Sequence, residues 1–235
     1  MSEESSDKPL NIKICVNTVK GFSEKTLPFV IPSLLSAGIE KEDIYIFEGG
    51  HDERVIDTYE GITYIKTNHN SLEYTSFVEI VENKIEADYW FYTHDTVVVG
   101  ENFKSLLYNI PEDMPDKIAL RHFPSMSIGT YKYEYLLTNK DLITGIKNTD
   151  YDRISLVALK KWGVGNEDYI LWKHEPHLTR TYNPHIYGPD EYPQVLHQSN
   201  IYGTETIRRA EYFPQLDLVK HKSNWGQSQD VGISI

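Results

Sequence analysis

Cysteine is nearly absent from this chain: Cys15 is the single thiol in 235 residues, so no disulfide can form within the molecule. It lies in the apolar run Asn11 to Val16 and reads as a small buried hydrophobe, which suits a reducing compartment. Positive charge is also scarce. With 23 Lys and Arg against 35 Asp and Glu, the net charge of −12 excludes a general binder of phosphate backbones, which needs a basic face to release counterions. A small anion held by a metal ion is still allowed, whereas a nucleic-acid partner is not expected. No long uninterrupted apolar stretch occurs, so no membrane span is expected. Met1 to Pro9 is acidic and Ser-rich without an apolar core, which predicts a disordered tail and no secretory signal. The expectation is a soluble, cytoplasmic protein. Neither a repeat nor a low-complexity linker interrupts the remainder, which predicts one domain over residues 10–235.

What is present is ordinary in bulk, 40% hydrophobic and 25% charged, except for seventeen Tyr and four Trp. Such aromatics suit stacking on sugars or bases, as well as a core. The stretch that organises the chain is Ala87 to Val99, an apolar and aromatic run broken by Thr93-His94-Asp95. A buried strand ending there sends the Asp95 carboxylate out of a sheet edge, where open α/β sheets keep their ligands.

Before it, Asn11 to Val16 reads as a first strand, breaking at Asn17-Thr18. Leu27, Val30, Ile31, Leu34 and Leu35 recur at helical spacing, with Ser23 as cap, Gly38 as stop, and Pro32 expected to kink or divide the helix. Asp43 to Phe47 and Ile62 to Ile65 read as strands, the first turning at Glu48-Gly49-Gly50. The polar loop Asn68-His69-Asn70-Ser71 then opens a helix running to about Glu86. This β-α-β-β-α-β order predicts an α/β fold, a mostly parallel sheet covered by helices.

Further on, Asn102 to Tyr108 reads as a helix, Ile118 to His122 and Tyr131 to Leu137 as strands, and Asp141 to Lys147 and Asp152 to Lys161 as helices. A Gly-rich turn, Gly163 to Asn166, delivers Glu167 and Asp168 to a helix start. Beyond His174 prolines break any long element, so an extended or wrapping segment is expected before a strand-like run from Leu216.

The first hundred residues resemble the nucleotide-sugar half of a GT-A glycosyltransferase, in particular the family-2-like group. The motifs are the acidic loop Ile46-Phe47-Glu48-Gly49-Gly50, the loop-to-helix Asn68-His69-Asn70-Ser71-Leu72-Glu73, and a strand ending in an Asp-x-Asp signature, here Thr93-His94-Asp95. Thr93 stands where the signature has its first Asp. The resemblance implies a GT-A-like Rossmann-type fold, with residues 10–100 as the nucleotide-sugar half and 101–235 as an acceptor half whose C-terminal segment is extended. It further implies a nucleotide-sugar donor and a glycan or other small hydroxyl acceptor.

In such a transferase the departing diphosphate develops charge that Mn²⁺ or Mg²⁺ neutralises. The resemblance assigns that ion to Asp95 and the late histidine His221, and donor binding to Asn17, Thr18, Glu48, Asn70, His94 and Asp95. It likens Gly165 to Asp168 to an acceptor-side acidic motif. Asp168 or Glu167 would then take the acceptor's proton, if the transfer inverts.

Each residue has a plainer reading: Asp95 as a cap, Glu48 as a solvated turn acid, Glu167 and Asp168 as first-turn acids, and His221 as a surface residue between two lysines. The pairs Trp162 with Trp172 and Tyr182 with Tyr187 suit sugar stacking or a core. Arg208-Arg209 suits a diphosphate clamp or solvent. Two other functions compete, a nucleotidyltransferase and an inactive GT-A-like protein that binds a glycan or a partner. The loop Asn17 to Gly21 matches a nucleotidyltransferase poorly, and Thr93 favours the inactive form.

Overall fold

The computed structural model describes residues 10–109, 116–119, 128–145, 147, 170–171, 195–197 and 207–223. In chain order the first strands are β1 (Ile12–Val19), β2 (Ile44–Gly49), β3 (Val55–Tyr59), β4 (Ile62–Lys66) and β5 (Tyr89–His94). They are followed by β6 (Val97–Val99), β7 (Lys117–Ala119), β8 (Gly129–Lys132) and β9 (Ile170–Leu171). The last are β10 (Val195–His197), β11 (Ile207–Phe213) and β12 (Leu218–Ser223). Helices α1 (Ser23–Ser36), α2 (Thr75–Asn83), α3 (Phe103–Tyr108), α4 (Tyr133–Thr138) and α5 (Lys140–Gly145) connect them.

The main sheet has eight strands in the order β3-β4-β2-β1-β5-β8-β7-β9. Its centre, β4-β2-β1-β5, is wholly parallel. This is the α/β Rossmann-type core that the alternation of short apolar runs and amphipathic helices implies. Period-two alternation divides the core. Ile12, Ile14 and Val16 of β1 pack with Leu27, Val30, Ile31 and Leu34 of α1, while Cys15, Trp90 and Tyr92 face Phe77, Val78, Ile80 and Val81 of α2. Burial pushes the Cys15 thiol up to about 12, the state of an inert interior side chain.

Four expectations change. β1 continues through Asn17 and Thr18 to Val19, because both polar side chains find partners inside the fold. α1 is one helix despite Pro28 and Pro32, which lie on its exposed face so that the carbonyls they leave unbonded meet water. The run Tyr131 to Leu137 is not one strand. β8 ends at Lys132 and α4 begins at Tyr133, burying Tyr133 and Leu136 at a spacing of three where alternating aromatics suggested a spacing of two. α2 ends at Asn83, where Lys84 turns left-handed at φ 51°.

β3 has no counterpart in the sequence reading, since an edge strand exposed from Val55 to Thr58 shows no alternation of burial. Glu60 at φ 52° and Gly61 at φ 84° make the two-residue turn that returns β3 into β4. The expected helix over residues 152–161, together with Trp162, Trp172, Tyr182 and Tyr187, lies outside the described residues.

A second sheet, β10-β11-β12-β6, is antiparallel throughout. The chain therefore leaves the main sheet at the end of β5, turns at Asp95-Thr96, and enters the second sheet as β6. Asp95 sits where the two sheets meet.

Candidate functional site

Strand register assembles the site. Thr18 of β1 lies opposite Glu48 of β2, and Asn17 lies opposite His94 of β5, so Asp95 follows at the carboxyl edge beside Thr18. Asp95 is thus at a strand's carboxyl end, as its sequence context predicted. Thr18 Oγ1 donates to Asp95 Oδ2 at 2.5 Å, and Thr26 Oγ1 donates to the same oxygen at 3.2 Å. Burial is the larger influence and pushes the Asp95 carboxyl up to about 6, despite these bonds.

Helix α1 supplies both braces of the site from its first turn. Ser23 is not the N-cap expected of it, because Phe22 holds that position, and its hydroxyl instead donates to Glu48 Oε1. Three residues on, Thr26 reaches Asp95 from the same helix face. Two carboxylates accordingly gather where a helix N-terminus favours negative charge. Burial alone would raise the Glu48 carboxyl, but hydrogen bonds from Ser23, Tyr64 and His51 outweigh it and hold the group below the usual range.

The other candidates take distinct positions. Asn17 Oδ1 accepts from the backbone N–H of Ser76 at 2.9 Å and so satisfies an amide in the first turn of α2. Asn70 is exposed, with its side chain against Gly49. His94 is half-buried and meets the Tyr92 ring edge-on, centroids 5.2 Å apart. Thr93 is buried within β5, where a carboxylate would be costly.

His221 is not the surface residue its lysine neighbours suggested. It is 5% exposed, and its backbone N–H donates to Thr96 O at 2.8 Å, extending the β12–β6 ladder to the residue after Asp95. Burial pushes its imidazole down to about 4, leaving it neutral at neutral pH. Glu167 and Asp168 lie outside the described residues.

Sequence reasoning missed the supporting residues. Ser23 and Thr26 carried a signal, two hydroxyls three apart in the first turn of an amphipathic helix. His51 and Glu79 carried none, and His69 was legible only as a member of the polar loop before the helix. His69 O accepts from Gly50 N at 2.9 Å, its ring meets Ser71 Oγ at 2.9 Å and Glu79 Oε1 at 3.3 Å, and Arg54 Nε reaches Glu79 Oε2 at 2.8 Å. These contacts tie the loop after β2 to the loop before α2.

No family model matches the chain, and no curated protein matches it. Solved structures align with it in part. A glycosyltransferase involved in the glycosylation of the major capsid of PBCV-1 aligns at TM-score 0.40 and 13% identity, over 70% of this chain and 83% of that one. S. aureus TarS 1-349 aligns at TM-score 0.38 and 13% identity, over 57% of this chain and 55% of that one. The same protein in complex with UDP-GlcNAc aligns at TM-score 0.41 and 12% identity, over 73% of this chain and 62% of that one. The chain thus spans less than two thirds of the TarS chains it matches. Among the described residues no helix is long and apolar enough to cross a membrane.

Proposed function

We propose that this chain is a GT-A-like, nucleotide-sugar-dependent glycosyltransferase that moves a sugar to a glycan or other small hydroxyl acceptor. The observation that carries the reading is the row of Thr18, Glu48 and Asp95 at the carboxyl edge of three neighbouring parallel strands, onto which the second sheet brings His221. A ligand laid across strand ends is the common use of such an edge.

Asp95 and His221 are the residues that would hold a divalent cation in this reading. Asp95 is a hard oxygen donor braced by two hydroxyls, and His221 keeps its lone pair at neutral pH because burial opposes its charging. Among the described residues no three of His, Cys, Asp and Glu gather into a metal-binding group, and Asp95 and His221 are the two ligands the protein would offer Mn²⁺ or Mg²⁺. Such an ion neutralises charge on the leaving diphosphate. Thr18 and Thr26 fix the Asp95 carboxylate in one orientation, Asn17 aligns the start of α2, and exposed Asn70 and half-buried His94 border the donor. Asp168, with Glu167 as its alternative, is the proposed base that takes the acceptor hydroxyl's proton in an inverting transfer.

Thermal melts with UDP-, GDP- and dTDP-linked sugars, with and without Mn²⁺, test this reading. At least one donor should raise the melting temperature only when Mn²⁺ is present, since a ligand that binds only the native state must stabilise it. Asp95→Ala should fold and lose that shift. Donor binding without turnover on any hydroxyl acceptor would favour the inactive binding protein, whose support is Thr93 in the signature.

A further inference from the structure

Among the described residues the sheet edges are short except at β3: β9 has two residues, β6 and β10 have three each, and β3 has five. β3 also carries the two most exposed large apolar side chains among the described residues, Ile56 at 62% and Val55 at 44%. Its backbone has a defined orientation. The left-handed Glu60 and Gly61 close a two-residue hairpin on the pair Tyr59 and Ile62, and in such a hairpin the closing pair is hydrogen-bonded. Alternation then turns the N–H and C=O groups of Val55, Asp57 and Tyr59 toward β4, and those of Ile56 and Thr58 outward. The outward N–H of Thr58 is covered locally: it donates to Asp57 Oδ1 at 2.8 Å, while Lys66 Nζ donates to Asp57 Oδ2 at 3.0 Å. Charge and side-chain caps are the usual means of blunting an edge, and here they stop one residue short of Ile56.

We propose that β3 is a self-association edge, through which two copies of this chain pair antiparallel about a two-fold axis at Ile56 and join their main sheets into one. The register follows from the backbone and the charges. Only outward-facing residues can exchange hydrogen bonds, which allows the axis to fall at Val55, Ile56, Asp57 or Thr58. An axis at Asp57 sets the two Asp57 carboxylates directly opposite each other, and one at Val55 sets Asp57 opposite Glu53 of the second copy; both are like-charge pairs, which destabilise. An axis at Thr58 sets Ile56 opposite Glu60 in the turn. The axis at Ile56 instead lays that side chain against its own copy, places Val55 opposite Asp57, and brings Arg54 opposite Thr58 and diagonal to Glu60 of the second copy. Each Asp57 keeps its own Lys66 as counter-charge. The same short strand thus supplies both halves of the match, which makes a second copy the occupant. A single strand edge buries less than a standard interface, so the dimer is weak and depends on concentration. The net charge of −12 on each copy opposes it most at low salt.

Sedimentation equilibrium of the full chain from about 1 to about 300 µM, the range suited to a small interface, tests the inference. The average mass should rise from one copy toward two, and the rise should steepen with added salt as the like charges are screened. Ile56→Lys puts two ammonium groups on the axis. It should weaken association at least about tenfold while leaving the melting temperature of the dilute protein unchanged, because the side chain is exposed in the single copy. The register has its own readout. Across a hydrogen-bonded pair the Cα atoms stand about 5.5 Å apart, within disulfide reach, so Ile56→Cys should oxidise to a covalent dimer. Thr58→Cys, four residues out of register with its copy, should form that bond much more slowly, and buried Cys15 does not compete. A mass of one copy at every concentration, association that weakens with salt, or Ile56→Lys associating as wild type does overturns the proposal. Thr58→Cys linking as fast as Ile56→Cys overturns the axis at Ile56.

Discussion

At the scale of single residues the site keeps a carboxylate under tension, and pH reveals it. Asp95 carries a carboxyl raised from its ordinary 3.8 to about 6, chiefly by burial. In the cation-free protein the folded state therefore holds this proton more tightly than the unfolded chain does. The group's contribution is most favourable below about pH 4, declines as pH rises to about 6, and is flat above it, a total of about 3 kcal/mol. Asp95→Asn removes the titration while keeping an oxygen for Thr18 or Thr26. Urea unfolding in EDTA should find the variant gaining on wild type between pH 4 and pH 7; a difference independent of pH, or one shrinking as pH rises, would contradict this origin of the shift. The same comparison cancels Glu48 and Glu79, whose carboxyls are held below the usual range and whose contributions fade toward acid instead.

At the scale of elements, the main sheet's parallel strands and α1 were legible because their apolar residues keep the periods of their structures, and Asp95 because it ends the most apolar run. β3 was not, since an exposed edge has no alternation to read. β12 was legible as the strand-like run from Leu216, but β11 and the hairpin the two form were not, since that hairpin's place depends on a contact across more than a hundred residues. Asp217, left-handed at φ 47°, accepts at Oδ2 from Asn102 N at 3.0 Å, while its carbonyl accepts from Gly100 N at 2.6 Å. No sequence pattern announces that Gly100 must be bare: a Cβ there would stand 2.4 Å from Asp217 Oδ2. Gly100→Ala should therefore destabilise the protein by about 1–3 kcal/mol. In an Asp217→Gly background, which tolerates the positive φ and removes the obstructing carboxylate, the same alanine should cost much less. Additive losses in the double variant would place the cost of the alanine elsewhere.

At the scale of the molecule, the candidate site belongs to neither sheet alone. Asp95 ends a strand of the main sheet, whereas His221 arrives on β12, joined to the neighbouring residue by the bond from its N–H to Thr96 O. The main sheet's central strands have partners on both sides and cores on both faces, so their amides should exchange with the lowest frequency of opening. β6 is three residues long and lies at the edge of its sheet, so the junction should open sooner than the core. An ion shared by Asp95 and His221 would couple the two sheets, since every opening that separates them would also have to release it. Hydrogen exchange with Mn²⁺ and the stabilising nucleotide should accordingly slow the amides of Thr96 to Val99 and of Leu218 to Ser223 together, by a similar factor. Asp95→Ala should abolish both effects at once. Protection confined to the main sheet would leave Asp95 in the site and remove His221 from it, because a ligand held by one sheet has no means of delaying the departure of the other.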